Sequence, residues 1–196
     1  MDSLFKKEDN PLLVSLEGVK RLKDSGVIEF ILGGARSGKS SYAEQRIGAS
    51  ESLSVLYVAT AAAGDSEMQK RIDIHQKSRP AHWHTLESPL QLADALNQNE
   101  QDYDYILVDC LTLWLTNCLC HKLPEVFSQE REALLNSLKS FNGKLLLVSN
   151  EVGTGIVPMG ELSRKFVDEA GWLHQAIAQI ADNVTWVVAG LQKKLK

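Results

Sequence analysis

The sequence predicts an α/β domain: a mainly parallel β-sheet with helices on both faces. Two observations carry this. Short apolar runs rich in β-branched residues recur along the chain and alternate with segments of helical periodicity, which is the pattern of βαβ units. The runs are continuously apolar rather than alternating, as strands are when helices cover both faces of their sheet. The length, 196 residues, fits one domain with a small appendage at roughly 100–200 residues per domain. A chain of this size buries roughly 70% of its unfolded surface and needs no disulfide or metal to hold it. With 44% hydrophobic and 23% charged residues, it is not disordered, collagen-like or a coiled coil.

The elements follow in order. Residues 1–26 read as an N-terminal extension in which Leu12, Leu13, Val14, Leu16, Val19 and Leu22 hint at one short amphipathic helix, and residues 27–196 as the domain. Val27 to Leu32 is a first strand ending in Gly33-Gly34, and Ser40 to Ile47 a helix. Val55 to Thr60 is a second strand. A helix capped by Asp65 or Ser66 runs to about Ser78, where Arg79-Pro80 ends it because a residue before proline is pushed out of the α region. Ser88-Pro89-Leu90-Gln91 reads as a capped helix start, with the helix reaching about Asn97. Tyr105 to Asp109 is a third strand, Glu130 to Phe141 a helix, Lys144 to Ser149 a fourth strand, Glu161 to Ala181 a long helix and Val184 to Gly190 a fifth strand.

Charge narrows the partners. Lys and Arg number 21 against 25 Asp and Glu, net −4, so there is no basic face of the kind a nucleic-acid binder carries. Any phosphate must be held by a local site. No apolar run reaches the ~18 residues of a membrane helix, and the N-terminus lacks the features of a signal or transit peptide. Cys110, Cys118 and Cys120 form neither a disulfide framework nor a zinc spacing, and point to a reducing, cytoplasmic setting.

The strongest motif is Gly33-Gly34-Ala35-Arg36-Ser37-Gly38-Lys39-Ser40, which matches G-x-x-x-x-G-K-[ST] between a strand and a helix. In such a loop, backbone N–H groups wrap phosphate oxygens and the helix N-terminus adds partial positive charge. Lys39 is placed to reach the β/γ-phosphates and Ser40 to ligate Mg²⁺. Asp109, closing a buried strand, is the expected second Mg²⁺ partner, against the alternative of a helix cap. On the helix before Arg79, Met68, Ile72 and His75 share one face. A lone histidine there is more often structural, and the nearby Lys77 and Arg79 do not by themselves make it catalytic. His82 and His84 point the same way from an extended segment but lack a third ligand. Glu87 follows as a candidate acceptor for a ribose or base. Ser149 to Pro158, with two glycines, a carboxylate and an amide beyond a strand end, reads as a second part of the site, because ligands bind at the carboxyl ends of such strands.

Taken together these residues resemble the bifunctional adenosylcobinamide kinase / adenosylcobinamide-phosphate guanylyltransferase family of cobalamin biosynthesis. The matching blocks are Gly33–Ser40, Tyr57–Thr60, Asp65–Met68 with Arg71 and Ile72, and His75 leading into Arg79–Trp83. They continue with Leu107–Thr112, Leu115–Asn117, Val148–Pro158, then Phe166, Asp168, Ala170, Gly171 and Gln175, and end at Val188–Leu191. Together they span about residues 27–196, and only the first block is specific alone.

The resemblance implies a P-loop NTPase-type (RecA-like) fold. It implies an enzyme that phosphorylates adenosylcobinamide with ATP or GTP, then transfers GMP from GTP to the product through a GMP–histidine intermediate on His75. It places nucleotide contacts on Val58, Ala59, Thr60, Gln76, Lys77, Ser78, Arg79, Glu87 and Asp109, besides the phosphate loop. It also implies a small homo-oligomer. The residues agree with the chemistry: neutral imidazole is a good nucleophile near pH 7. A P-loop kinase without guanylyl transfer would not need His75 with Arg79-Pro80, and a GTP-dependent switch would be expected to carry an N-K-x-D element that this chain lacks. The segment from Asn117 to Glu130 departs from the family pattern. The preferred phosphoryl donor and the base of the kinase step are not legible.

Overall fold

The structure, a computed structural model, describes residues 26–61 and 79–196. In chain order the elements are β1 (Val27–Gly33), α1 (Lys39–Ile47), β2 (Val55–Ala59), β3 (His84–Glu87), α2 (Leu92–Asn99), β4 (Tyr105–Asp109), α3 (Leu111–Leu119), α4 (Glu125–Ser140), β5 (Lys144–Asn150), α5 (Glu161–Ile180), β6 (Asn183–Val188) and β7 (Leu191–Lys194). The seven strands form one sheet in the order β3-β2-β4-β5-β1-β6-β7. Every pairing is parallel except β6 with β7. This is the P-loop NTPase-type sheet that was expected, with β5 between the strand that enters the phosphate loop and the strand that ends in Asp109.

The continuously apolar strands are explained by two cores. On one face, Phe30, Leu56, Val58, Ile106, Val108, Leu145 and Leu147 pack under α2, α3, α4 and α5 through Leu96, Trp114, Leu134 and Ile177. On the other, Ile31, Tyr57, Leu107, Leu146 and Val148 pack with Ala43 and Ile47 of α1. Successive strand residues serve opposite faces, so both sets must be apolar.

Beyond small shifts at their ends, the elements differ from expectation in five ways. β3 was read only as an extended segment, because three of its four residues are exposed and no hydrophobic pattern marks an edge strand. The final strand ends at Val188, not Gly190. Ala189 and Gly190 take positive φ (51° and 76°) and make the two-residue turn that suits a right-twisted hairpin, which brings back β7, exposed throughout. α3 was not anticipated: its run from Leu111 to Leu119 is apolar on most sides and shows little amphipathic period. α4 begins five residues earlier than the expected Glu130, directly after Pro124. The helix start expected at Ser88-Pro89 lies at Leu92 instead. Ser88 is drawn into the sheet edge, its N–H donating to Ala59 O at 2.9 Å. The helix expected from Asp65 to Ser78, and the amphipathic stretch before Gly26, lie outside the described residues.

Candidate active site at the carboxyl edge of the sheet

The parallel strands deliver their last residues to one edge. Gly33 lies in register with Asn150 on one side and Val187 on the other. Ala59 lies between Asp109 and Glu87. The candidates Gly33, Ala59, Glu87 and Asp109 therefore share an edge because β1, β2, β3 and β4 all end there.

The phosphate loop is built on glycine where geometry demands it. A Cβ on Gly33 would stand 2.5 Å from both Ser37 Oγ and the Val187 carbonyl oxygen, so no side chain fits. Gly38, the residue before α1, has φ +95°, and a Cβ on it would stand 3.3 Å from Gly190 Cα. That left-handed conformation is costly for any residue with a Cβ. A Cβ on Gly34 meets nothing within 4 Å. Arg36 carries its turn at φ 57°, and Ala35 and Arg36 are exposed. Ser37 N–H donates to Gly34 O at 3.2 Å, and Gly190 N–H donates to Ser37 O at 2.8 Å, pinning the loop to the β6–β7 turn.

Lys39 opens α1 and is buried, 8% exposed. Its Nζ donates to Gly34 O at 3.1 Å, so the ammonium curls back over the loop. Burial lowers its pKa, and the negative charge of Asp109 pulls the other way. The site thus holds a desolvated cation within the electrostatic reach of a carboxylate. Ser40, half-buried, follows on α1.

Asp109 is braced by its neighbours. Tyr57 OH donates to Asp109 Oδ2 at 3.0 Å. Burial first, then the Asp109 charge, push the Tyr57 hydroxyl well above the usual phenol range, so it remains a donor. Arg79 lies over the Tyr57 ring, its Cζ 3.4 Å from the centroid, and reaches toward Thr85 Oγ1 at 3.5 Å. The next residue is tied down by Thr60, whose Oγ1 donates to Cys110 O at 2.7 Å and accepts Cys110 N–H at 2.9 Å. The Asp109–Cys110 peptide is cis. Asn117 Nδ2 donates to Thr60 O at 2.8 Å and to Pro89 O at 3.0 Å. Thr60 is fully buried with its hydroxyl engaged, and Val58 is fully buried in the core. Contacts from these two are therefore limited to the main chain.

β5 supplies the remaining wall. Asn150 N–H donates to Thr112 Oγ1 at 2.7 Å, while Asn150 Oδ1 is buried without a partner. Glu151 N–H continues the ladder to Gly33 O at 3.0 Å. Behind it, His174 of α5 lies buried with Nε2 2.8 Å from Ser149 Oγ and Nδ1 3.8 Å from Glu151 Oε2. Burial lowers the His174 pKa and the Glu151 charge opposes that, which leaves the ring neutral near pH 7.

His75, Gln76, Lys77 and Ser78 lie outside the described residues. His82 and His84 do not form a metal clip: His84 Nδ1 pairs with Tyr103 OH at 2.9 Å, and no group of three or more His, Cys, Asp or Glu gathers among the described residues. The bracing roles of Tyr57, Thr112, Asn117 and His174 escaped sequence reasoning. Tyr57 alone left a signal, a phenol inside an otherwise apolar strand. A cavity of about 280 Å³ lies beside Glu29 and Arg46 and one of about 320 Å³ beside Arg164 and Trp172. Neither includes a phosphate-loop residue, so chemistry and not cavity size marks the site.

Residues 29–195 match the family model described as cobinamide kinase / cobinamide phosphate guanyltransferase. The bifunctional adenosylcobalamin biosynthesis protein CobP of Pseudomonas aeruginosa is 57% identical over 168 residues, covering 86% of this chain and 96% of that one. The bifunctional adenosylcobalamin biosynthesis proteins CobU of Escherichia coli and Salmonella typhimurium are 36% and 38% identical, each covering 85% of this chain and 98% of the relative. The family match over residues 29–195, which takes in both the phosphate loop that joins β1 to α1 and the braced acid at the end of β4, places this chain in the cobinamide kinase / cobinamide phosphate guanyltransferase family.

Proposed function

We propose that this chain phosphorylates adenosylcobinamide with ATP or GTP and then transfers GMP from GTP to the resulting phosphate through His75. The observation that supports it most is the buried Lys39 whose Nζ curls back over the phosphate loop to Gly34 O. A positive charge already stripped of water acts strongly on the charge that develops during phosphoryl transfer. The contacts proposed for the nucleotide are the loop Gly33, Gly34, Ala35, Arg36, Ser37, Gly38, Lys39 and Ser40, the main chain of Val58 and Thr60, and Ala59, Arg79, Glu87 and Asp109. Gln76, Lys77 and Ser78 join them from the family resemblance.

The donor set suits Mg²⁺. Ser40 and Asp109 offer hard oxygen ligands, and Asp109 has one oxygen committed to Tyr57 and a second that takes no hydrogen bond from the described residues. Mg²⁺ commonly takes one or two protein oxygens, with phosphates and waters filling its octahedron. Bound there, it would neutralise charge on the phosphates. The protein's own part is to cradle the phosphates on loop amides, to hold Lys39 against them and to fix Asp109 through Tyr57 and Thr60.

In the second step the neutral imidazole of His75 attacks the α-phosphorus. The N–P bond forms as the bond to pyrophosphate breaks, and the cobinamide phosphate then displaces the histidine. Incubation with GTP labelled at the α-phosphorus is expected to give acid-labile, base-stable label on the protein, and His75→Ala is expected to give none. Equal labelling of that variant, or an unlabelled wild type, overturns the histidine route.

The proposal also places the protein in the cytoplasm as a homo-oligomer. Its three cysteines are free thiols, no helix among the described residues is long and apolar enough to cross a membrane, and Ile156, Val157, Met159 and Leu162 are exposed together. Light scattering is expected to give a multiple of 21.7 kDa; a monomer mass overturns the oligomer.

A further inference from the structure

The two proposed reactions make different demands on a base. The kinase nucleophile is a neutral alcohol and must lose a proton. The guanylyl acceptor is a phosphate monoester, largely ionised at pH 7 because its second pKa is about 6, and needs none. A base is therefore required for one step only.

Sheet order selects the candidate. Three carboxylates stand on or just beyond the carboxyl ends of the described parallel strands: Glu87 on β3, Asp109 on β4 and Glu151 after β5. Strands lie about 4.8 Å apart. In the order β3-β2-β4-β5-β1, Glu87 is four strands from the phosphate loop, about 19 Å, and Asp109 is two, about 10 Å, with its charge directed to Tyr57 and Lys39. Glu151 is one strand away, about 5 Å, and its N–H bonds Gly33 O directly.

One oxygen of its carboxylate is held: Oε1 accepts Gly153 N–H at 2.6 Å. Oε2 faces His174 Nδ1 at 3.8 Å, close beside it but beyond hydrogen-bond length. The side chain is 26% exposed while that of His174 is 9% exposed, so Glu151 is the open member of the pair and His174 stands behind it. His174 is itself fixed by Ser149 Oγ at 2.8 Å and by the edge of Phe30 at 5.5 Å between ring centroids.

Resting on the kinase reading above, we propose that Glu151 is the general base of the kinase step and that His174 is its positioning residue. The alcohol O–H bond breaks and its proton passes to the Glu151 carboxylate. The oxygen forms its bond to the γ-phosphorus as the bond to the bridging oxygen breaks, and the electron pair leaves with the nucleoside diphosphate. Glu151 then returns the proton to water through its exposed side.

Two assays on the full chain test this: phosphorylation of adenosylcobinamide, and guanylyl transfer from GTP to adenosylcobinamide phosphate supplied ready-made. A general base contributes about 10²–10⁴-fold. Glu151→Gln is expected to lower the ratio of kinase to guanylyl-transfer rate by at least about 100-fold. An unchanged kinase rate, or equal losses in both assays, overturns the base. For His174, the asparagine variant keeps an N–H donor near the place of Nδ1 and the leucine variant does not. His174→Leu is expected to lower kinase kcat at constant nucleotide KM, and His174→Asn to restore part of it. Equal kcat in the two variants, or a change confined to KM, overturns the positioning role. Failure of the wild type to label with GTP would remove the histidine route and leave the kinase assay to decide the base by itself.

Discussion

Lys39→Ala loses phosphoryl transfer and guanylyl transfer together, each by at least about 100-fold, the scale of removing one preorganised charge-stabilising group. In the proposed function both steps handle a nucleoside triphosphate cradled by the same loop. Lys39 is the cation that burial has already desolvated there, and among the described residues its hydrogen-bond partner is Gly34 O. The same burial sets the sign of the stability change. A buried ammonium costs folding energy unless its partners repay it. The alanine variant is therefore expected to melt at or above the wild-type temperature while failing both assays. Turnover in either assay near the wild-type rate contradicts a shared phosphate site, and a large drop in melting temperature contradicts the account of the lysine as a desolvated charge.

Thr60→Val gives the opposite signature, with stability and activity falling together. Valine matches threonine in shape but removes the hydroxyl that donates to Cys110 O and accepts Cys110 N–H. Cys110 O keeps a second donor, Trp114 N–H at 3.3 Å. The lost acceptor matters more: a buried N–H without a partner costs about 1–3 kcal/mol. In a domain of this size that corresponds to a fall in Tm of roughly 2–12 °C. Asp109 is the residue before the loosened peptide, so kinase kcat is expected to fall by about tenfold or more, since small misplacements of reacting groups are costly. Thr60→Ser keeps both hydrogen bonds and is expected to keep most of the activity. Thermal melts and kinase assays on the pair check this, and equal behaviour of valine and serine would refute it.

What could be read in the chain was what is written locally. The phosphate loop, the strand ending in Asp109 and the apolar runs of β1, β2, β4, β5 and β6 each lie within a few consecutive residues. The hydrophobic effect that buries them leaves its pattern in the same few positions. β3 and β7 escaped because edge strands are held by main-chain hydrogen bonds, and their side chains, exposed for the most part, carry no burial pattern. The bracing of the site escaped for a different reason. Tyr57 meets Asp109 across 52 residues, Asn117 meets Thr60 across 57 and Ser149 meets His174 across 25. Only the folded sheet makes these pairs neighbours. His174 lies on an otherwise apolar stripe of α5, and nothing in that stripe shows that its Nε2 meets Ser149.

The hydrogen bond from Gly190 to Ser37 ties the two ends of the described fold into one mechanical unit. The phosphate loop is the first turn after β1, and the hairpin that grips it is the last. Gly38 sits against Gly190, and the same turn carries Ala189 in a conformation that β-carbon residues adopt reluctantly. Tension on the β6–β7 hairpin is therefore tension on the phosphate cradle. The terminal strand pair acts as a spring behind the nucleotide seat, and its stiffness belongs to the catalytic apparatus as much as the loop's own glycines do.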